Sequence, residues 1–141
     1  MTKNLDKEGL SSIVKNYDLF YIDLWGVIHN GIKLNEHAIT TLKELKKNNK
    51  NFVLLTNAPR PNEVVKSFLE KMGMSEDLRN HVFTSGEAAL SYLKKTYVSK
   101  NFFHIGPPRD FDLFNTFKSN KSTDLYESDY LLCTGLFDEH D

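Results

Sequence analysis

Three polar positions close apolar runs in this chain: Asp23 after LFYI, Thr56-Asn57 after FVLL, and Thr84-Ser85 after HVF. A carboxylate, small hydroxyls and an amide are the groups that a phosphoryl ligand calls for. A strand-end aspartate can attack phosphorus and form an acyl phosphate that water then hydrolyses, provided a divalent cation offsets the repulsion between two anions. Magnesium suits that task, being hard, oxygen-loving and commonly held by one or two carboxylates plus substrate oxygens. Thr56 can donate its hydroxyl to a phosphoryl oxygen, and backbone amides beyond Asp23 can add further donors. Gly26 would let that backbone approach closely and adopt angles that a side chain forbids. Each feature alone also has a structural explanation. Asp23 suits a turn or helix cap, and the TN before Pro59 and Pro61 suits a polar turn. Thr84, Ser85 and Glu87 are read as an N-cap region in preference to a binding site.

These residues need a scaffold that gathers strand ends. LFYID and NFVLLT read as buried strands, being apolar runs without alternation, as in a parallel sheet covered on both faces. HVFTS, NFFHIG and DYLLCTG read as three more strands. Between them, Ala38, Leu42 and Leu45 fall at helical spacing, PNEVVKSFLEKMG forms a helix that Gly73 ends, GEAALSYLKKTY another, and FDLFNTFKS a short one. LDKEGLSSIVKNY is a weak leading helix. Alternation of this kind implies βαβ units and an α/β fold, with ligands outside the carboxyl ends of the strands. Gly106 and Thr134-Gly135 close the fourth and fifth strands at that same edge.

With 141 residues the chain has the size of one domain, and no linker or low-complexity tract divides it. Eighteen basic against 19 acidic residues leave a net charge of −1, so no global field favours nucleic acid or an anionic membrane. The lysines of LKELKKNNK read as the wet face of a helix. Phe102, Phe103, Phe111, Phe114 and Phe117 read as core rather than a stacking platform. No apolar run approaches the ~20 residues that span a bilayer, and the N-terminus lacks a secretory pattern, so a cytoplasmic protein is expected. The single cysteine, Cys133, is read as a buried apolar residue.

The stretch YDLFYIDLWGVIHNG resembles the first motif of the haloacid dehalogenase superfamily, and specifically its class IIA, NagD-like phosphatases. FVLLTNAPRP resembles the second motif, and VFTSGEAALSYL, FFHIGPPRD and YLLCTGLFDE resemble the segments leading to that class's cap domain. The resemblance implies a Rossmann-like core with a mainly parallel sheet and helices on both faces. It implies Asp23 as nucleophile and magnesium ligand, the backbone carbonyl of Trp25 as a second metal contact, Thr56 as phosphate-binding hydroxyl, and Asn57 and Gly26 as residues that shape the site. The expected reaction is magnesium-dependent hydrolysis of a small phosphorylated metabolite through an aspartyl-phosphate.

Two departures bear on that expectation. Trp25 stands where the family carries its acid-base aspartate, and loss of a positioned acid typically removes about 10²- to 10⁴-fold in rate. His29 is read as a loop residue rather than a replacement acid. The family also continues beyond this length with a cap, a lysine and an acidic motif, so the chain reads as the N-terminal portion of the core, residues 1–141, with about 129–141 starting the cap junction. Asp138, Glu139 and Asp141 read as a solvated tail. The isolated polypeptide is then expected to be a truncated, inactive or very weak phosphatase, completed by a second polypeptide or by self-association. The alternative is a non-catalytic relic that binds a partner through an open sheet edge. A flavodoxin-like or receiver domain ranks last, because the fifth strand ends without the lysine it requires.

Overall fold

The computed structural model describes residues 4–136, apart from the side chains of residues 111–114. Asp138, Glu139, Asp141 and the Phe111 and Phe114 side chains therefore lie outside the description. Strands and helices alternate and every strand pair is parallel, so the chain is an α/β protein.

In place of one leading helix there is a single α turn, α1 (Leu5–Glu8), followed by 3-10 turns at Leu10–Ser12 and Val14–Asn16. Gly9, at φ 69°, breaks the helical run between them. Next come β1 (Leu19–Asp23), α2 (Glu36–Lys47), β2 (Asn51–Thr56), α3 (Asn62–Lys71), α4 (Glu76–Arg79) and β3 (Val82–Thr84). The three strands form one sheet in the order β1-β2-β3. Asn35 caps α2, its side chain accepting from the His37 and Ala38 N–H groups at 3.1 and 3.4 Å, an arrangement that stabilises a helix by about 1 kcal/mol. Gly73, at φ 89°, follows α3 and donates to the Glu70 carbonyl at 2.8 Å, ending the helix as its sequence position suggested. The single turn α4 was not foreseen, since one turn is shorter than the period that reveals a helix.

The chain continues with α5 (Ser85–Thr96), β4 (Phe102–Ile105), 3-10 turns over Pro108–Asn120 that kink at Phe117, and β5 (Tyr130–Cys133). β4 and β5 pair with each other as a separate two-stranded sheet.

Two apolar clusters hold these elements. Leu42 and Leu45 of α2, Val65 and Leu69 of α3 and Leu78 of α4 close on Phe52, Leu54 and Val82 of the first sheet. Leu90 and Leu93 of α5 pack on Phe102 and Phe117, so these two phenylalanines are core as expected. Each such side chain stabilises the fold by roughly 1.5–3 kcal/mol when fully buried. In the first sheet the packed helices gather on one face. On the other face Leu19, Tyr21, Leu55 and Phe83 are exposed. β1 is thus not the fully buried strand its composition suggested: only Phe20 and Ile22 turn towards the core, and among the described residues its sole strand neighbour is β2. Cys133 is likewise exposed rather than buried, because Tyr130 and Leu132 take the packed side of β5 and alternation turns Cys133 away.

Candidate active site

Asp23 is the last residue of β1, and the chain turns sharply after it. Leu24 and Ile28 are buried and pin the turn to the core. Within it, the Ile28 and His29 N–H groups donate to the Leu24 carbonyl at 2.9 and 3.2 Å, and Gly26 N–H donates to the His29 carbonyl at 2.8 Å. Gly26 sits at φ 75° with open space where a Cβ would stand. Its role is therefore to supply a left-handed backbone angle; no close approach requires it.

The Asp23 side chain is exposed, and its Oδ1 accepts from the Leu24 N–H at 2.7 Å. Strand parity puts Asp23 on the bare face with its register partner Leu55, and Thr56 on the packed face with Thr84. At the end of the strands this separation closes: Asp23, Thr56 and Asn57 line one depression of about 430 Å³ together with Tyr21, Ile22 and Leu55. Thr56 Oγ1 accepts from the Ala58 N–H at 3.3 Å, which leaves the hydroxyl hydrogen to donate.

The loop that carries Thr56 and Asn57 is clamped by the start of α5. Thr84 caps that helix, accepting from the Glu87 N–H at 2.9 Å, as the N-cap reading anticipated. The same segment also reaches back: Thr84 Oγ1 donates to the Arg60 carbonyl, and Ser85 Oγ donates to the Asn57 and Ala58 carbonyls at 2.8 and 2.9 Å. Gly86 N–H donates to the Ala58 carbonyl at 3.1 Å. The Glu87 carboxylate accepts from the Asn62 N–H at 3.0 Å, and the Asn62 side chain accepts from the Thr84 N–H at 2.9 Å. A Cβ on Gly86 would stand 2.3 Å from the Arg60 backbone nitrogen. Capping and site-shaping are thus one structure, a double use that a cap signature in a sequence does not reveal.

A second cavity of about 360 Å³ opens beside Thr56 and Asn57, between the β1 turn and α3. Trp25, 65% exposed, forms one wall and Phe68 another. His29 lies between them, its ring meeting Trp25 edge-on at 5.5 Å and Phe68 at 5.6 Å. The imidazole is only 6% exposed, and its Nδ1 accepts from the Gly31 N–H at 3.0 Å. Burial lowers the His29 pKa below its ordinary value, with the Asp23 charge acting in the opposite sense. His29 is therefore a buried part of the cavity wall, more firmly placed than a loop residue. Gly31, at φ 88°, lets the indole lie against it, since a Cβ there would come within 2.8 Å of the ring.

Arg60, at the rim of this cavity, reaches the buried carboxylate of Asp110 at 3.8 Å and so ties the Thr56 loop to the 3-10 segment that follows β4. Around the ends of β4 and β5, His104 Nε2 and Thr134 Oγ1 are 2.8 Å apart, packed against Gly106. Sequence reasoning singled out neither Arg60 nor Asp110, since only the fold brings them together across 50 positions.

No cluster of three or more histidine, cysteine, aspartate or glutamate residues that could hold a metal occurs among the described residues. The side-chain oxygen donors at the depression include the Asp23 carboxylate, the Thr56 hydroxyl and the Asn57 amide. Such a set is chemically compatible with magnesium, which keeps waters and takes ligand oxygens to complete its shell. No helix of the described residues is long and apolar enough to cross a membrane.

A sequence model for the haloacid dehalogenase-like hydrolases matches residues 20–118. Among solved structures, a haloacid dehalogenase-like hydrolase from Brucella suis 1330 is 29% identical with a TM-score of 0.78, covering 92% of this chain and 46% of its own. A NagD protein is 25% identical with a TM-score of 0.64, covering 83% and 46%. The glycerol phosphate phosphatase of Mycobacterium tuberculosis, in complex with magnesium, is 21% identical with a TM-score of 0.63, covering 89% and 38%, a likeness of fold. The chain thus spans about half the length of the first two structures and less of the third. No curated protein matches it.

Proposed function

This chain belongs to the haloacid dehalogenase-like hydrolases, and from that premise we propose that it carries the nucleophile half of a phosphomonoester hydrolase, with Asp23 as nucleophile and Thr56 as phosphate-binding hydroxyl. One observation carries the reading: Asp23, Thr56 and Asn57 line a single depression at the carboxyl ends of adjacent parallel strands, where ligands bind in open α/β sheets.

The proposed chemistry runs in two steps. An Asp23 carboxylate oxygen bonds to phosphorus while the bond from phosphorus to the leaving oxygen breaks, and that oxygen takes a proton from water. Water then attacks the acyl phosphate, inorganic phosphate departs and the carboxylate is regenerated. Asp23 and the Trp25 carbonyl would hold a magnesium ion, which supplies the positive charge that lets two anions meet. Thr56 donates to a phosphoryl oxygen, Gly26 gives the turn its left-handed angle, and Asn57 stays in register through the Ser85 bond to its carbonyl. The Trp25 indole N–H is too weak an acid to protonate a leaving alkoxide, so its position contributes no acid catalysis.

Among the described residues Asp23 is the only carboxylate lining the depression, and one carboxylate with one carbonyl holds magnesium weakly. The polypeptide of residues 1–141 is therefore expected to turn over slowly on its own. Residues from about 129 onward are read as the approach to a cap. A second reading, a partner-binding module, is favoured by the bare face of Leu19, Tyr21, Leu55 and Phe83 beside the unpaired edge of β1. Such a surface suits a second polypeptide or another copy of this chain that extends the sheet.

The deciding experiment incubates the protein with acetyl phosphate and magnesium and maps phosphorylation by peptide mass spectrometry. A phosphoryl increment on the peptide carrying Asp23, lost in Asp23→Asn, is the expected result. Hydrolysis of an aryl phosphate that survives Asp23→Asn would refute the nucleophile assignment.

A further inference from the structure

We propose that His29 is a substrate-contacting residue whose Nε2–H donates a hydrogen bond, inside the cavity between Trp25 and Phe68, to an acceptor oxygen on the body of the substrate. The proposal rests on the phosphatase reading above and adds a specificity-determining residue to it.

The tautomer is the first argument. A neutral imidazole carries one ring proton, and the hydrogen bond made by one nitrogen decides which nitrogen holds it. Nδ1 accepts from the Gly31 N–H at 3.0 Å, so Nδ1 is bare and the proton sits on Nε2. The ring is also held in place, with Trp25 and Phe68 meeting it edge-on at 5.5 and 5.6 Å. His29 is thus a donor of fixed orientation.

The second argument is where that donor goes. Among the described residues Nε2 has no hydrogen-bond partner, although His29 is only 6% exposed. The atom is not sealed in the core either, since no side-chain nitrogen or oxygen of the described residues is both buried and unpaired. A ring nitrogen that is neither bonded nor sealed opens onto a hollow. His29 borders two of them, the 360 Å³ cavity and a polar hollow of about 410 Å³ lined by Gly26, Asn30, Lys33 and Asn35. Nδ1 is turned to Gly31, in the stretch that lines the polar hollow, and Nε2 lies on the other side of the ring. Trp25 and Phe68, which flank the ring, line the first cavity and not the second. Nε2–H therefore faces the cavity that shares Thr56 and Asn57 with the Asp23 depression.

The third argument is the chemistry of that cavity. Leu24, Val64, Val65 and the two aromatic rings cover the flanks of a ligand. His29, Arg60, Thr56 and the Trp25 indole carry N–H or O–H groups, Asn57 offers a donor and an acceptor, and among the described residues no carboxylate lines the space. A donor-rich lining between apolar flanks is matched by a body with an acceptor oxygen beside its phosphoryl group. A hydrocarbon body of the same size would strip water from Nε2–H and give nothing back, and a site built to hydrogen-bond its ligand rejects the analogue that lacks the acceptor. The bond orients the substrate, and the proton stays on His29.

The test titrates the protein, with magnesium present, with linear ketone phosphonates whose carbonyl is the second, third or fourth carbon from phosphorus, each against the alkylphosphonate of the same length. Trp25 is the only tryptophan in the chain, so its emission reports binding at this cavity. At least one ketone is expected to bind about twofold to tenfold more tightly than its alkyl partner, the scale of one neutral hydrogen bond. That ketone should move the His29 Nε2 proton resonance downfield in the wild-type protein, and the alkyl partner should leave it in place. A long-range proton–nitrogen spectrum of the free protein should show the Nε2–H tautomer. His29→Leu, which lacks a donor, should bring every ketone level with its alkyl partner, and His29→Gln, which keeps a side-chain N–H, should restore part of the preference, with circular dichroism as the check on folding. Thr56→Val should weaken ketones and alkyl partners alike.

Equal wild-type affinities within every pair, a preference that survives His29→Leu in a folded protein, or a proton on Nδ1 would overturn the proposal. If Thr56→Val still weakened the alkylphosphonates, the phosphate position would stand without it. Binding that ignores Thr56→Val, or no binding of any probe, would overturn both together.

Discussion

Gly86→Ala separates what a sequence predicts from what this packing demands. Gly86 is the second residue of α5, where helix propensity alone makes alanine more favourable than glycine by about 0.8–1 kcal/mol. The structure reverses the sign. A Cβ there would stand 2.3, 2.5 and 2.6 Å from the Arg60 nitrogen, oxygen and carbonyl carbon, all backbone atoms that cannot rotate away. Restoring an ordinary contact of 3.4 Å moves the loop by about 1.1 Å (3.4 − 2.3). Overpacking of this sort costs about 1–3 kcal/mol. The shift also strains the bonds from Gly86 N–H and Ser85 Oγ to the Ala58 and Asn57 carbonyls, each contributing about 0.5–1.5 kcal/mol. Losing two of them and crediting alanine its propensity leaves a net destabilisation of about 3 kcal/mol, or roughly 10 °C in Tm for a chain of this size. Thermal and urea unfolding followed by circular dichroism measure it. Gly73→Ala, at φ 89° with open space around it, is the control for backbone strain alone, at about 1–2 kcal/mol. A Gly86→Ala protein as stable as the wild type would refute the clamp.

Other outcomes follow from the same structure. Lys46 and a Ser75 side-chain bond hold the Asp77 carboxyl down at about 2 from its usual 3.8, so its contribution is present above pH 3.8 and is lost as pH falls towards 2. The pair is solvent-screened and contributes no more than about 1 kcal/mol, so acid unfolding of Asp77→Asn should be slightly flatter in that window. His29, its pKa lowered by burial, stabilises the fold above its ordinary value of 6.5, and that stability is lost as pH falls from there through the lowered pKa. An NMR titration should show the His29 resonances moving below pH 6.5, and a midpoint at or above 6.5 would contradict the buried placement. Asn35→Ala removes the cap of α2 and should lower stability by about 1 kcal/mol in urea unfolding. Tyr21 and Phe83 lie on the bare sheet face, Tyr21 being 69% exposed; the partner-binding reading predicts concentration-dependent association in sedimentation velocity that the pair Tyr21→Lys and Phe83→Lys abolishes, and a wild-type chain that stays monomeric at all concentrations would count against self-association through this face.

The sequence by itself determined the α/β class, the strands and most helices, because apolar runs, helical spacing and glycine stops are local properties that neighbouring residues enforce. It also located the carboxyl ends of the strands, and so nominated Asp23, Thr56, Asn57 and Gly26. Tertiary structure alone decided what those ends become. Parity separates Asp23 from Thr56, and only the turn at the sheet edge brings both into one depression. Thr84, Ser85 and Glu87 look like a cap because capping is local, but their hold on residues 57 to 62 is a contact across the chain. Gly86, Arg60, Asp110 and the Trp25–His29–Phe68 wall left no local signature, since their meaning lies in which distant atoms they touch. Burial follows the same division. Composition made LFYID and Cys133 look buried, yet burial depends on which elements stand opposite a face, and no short stretch of sequence encodes its own neighbours.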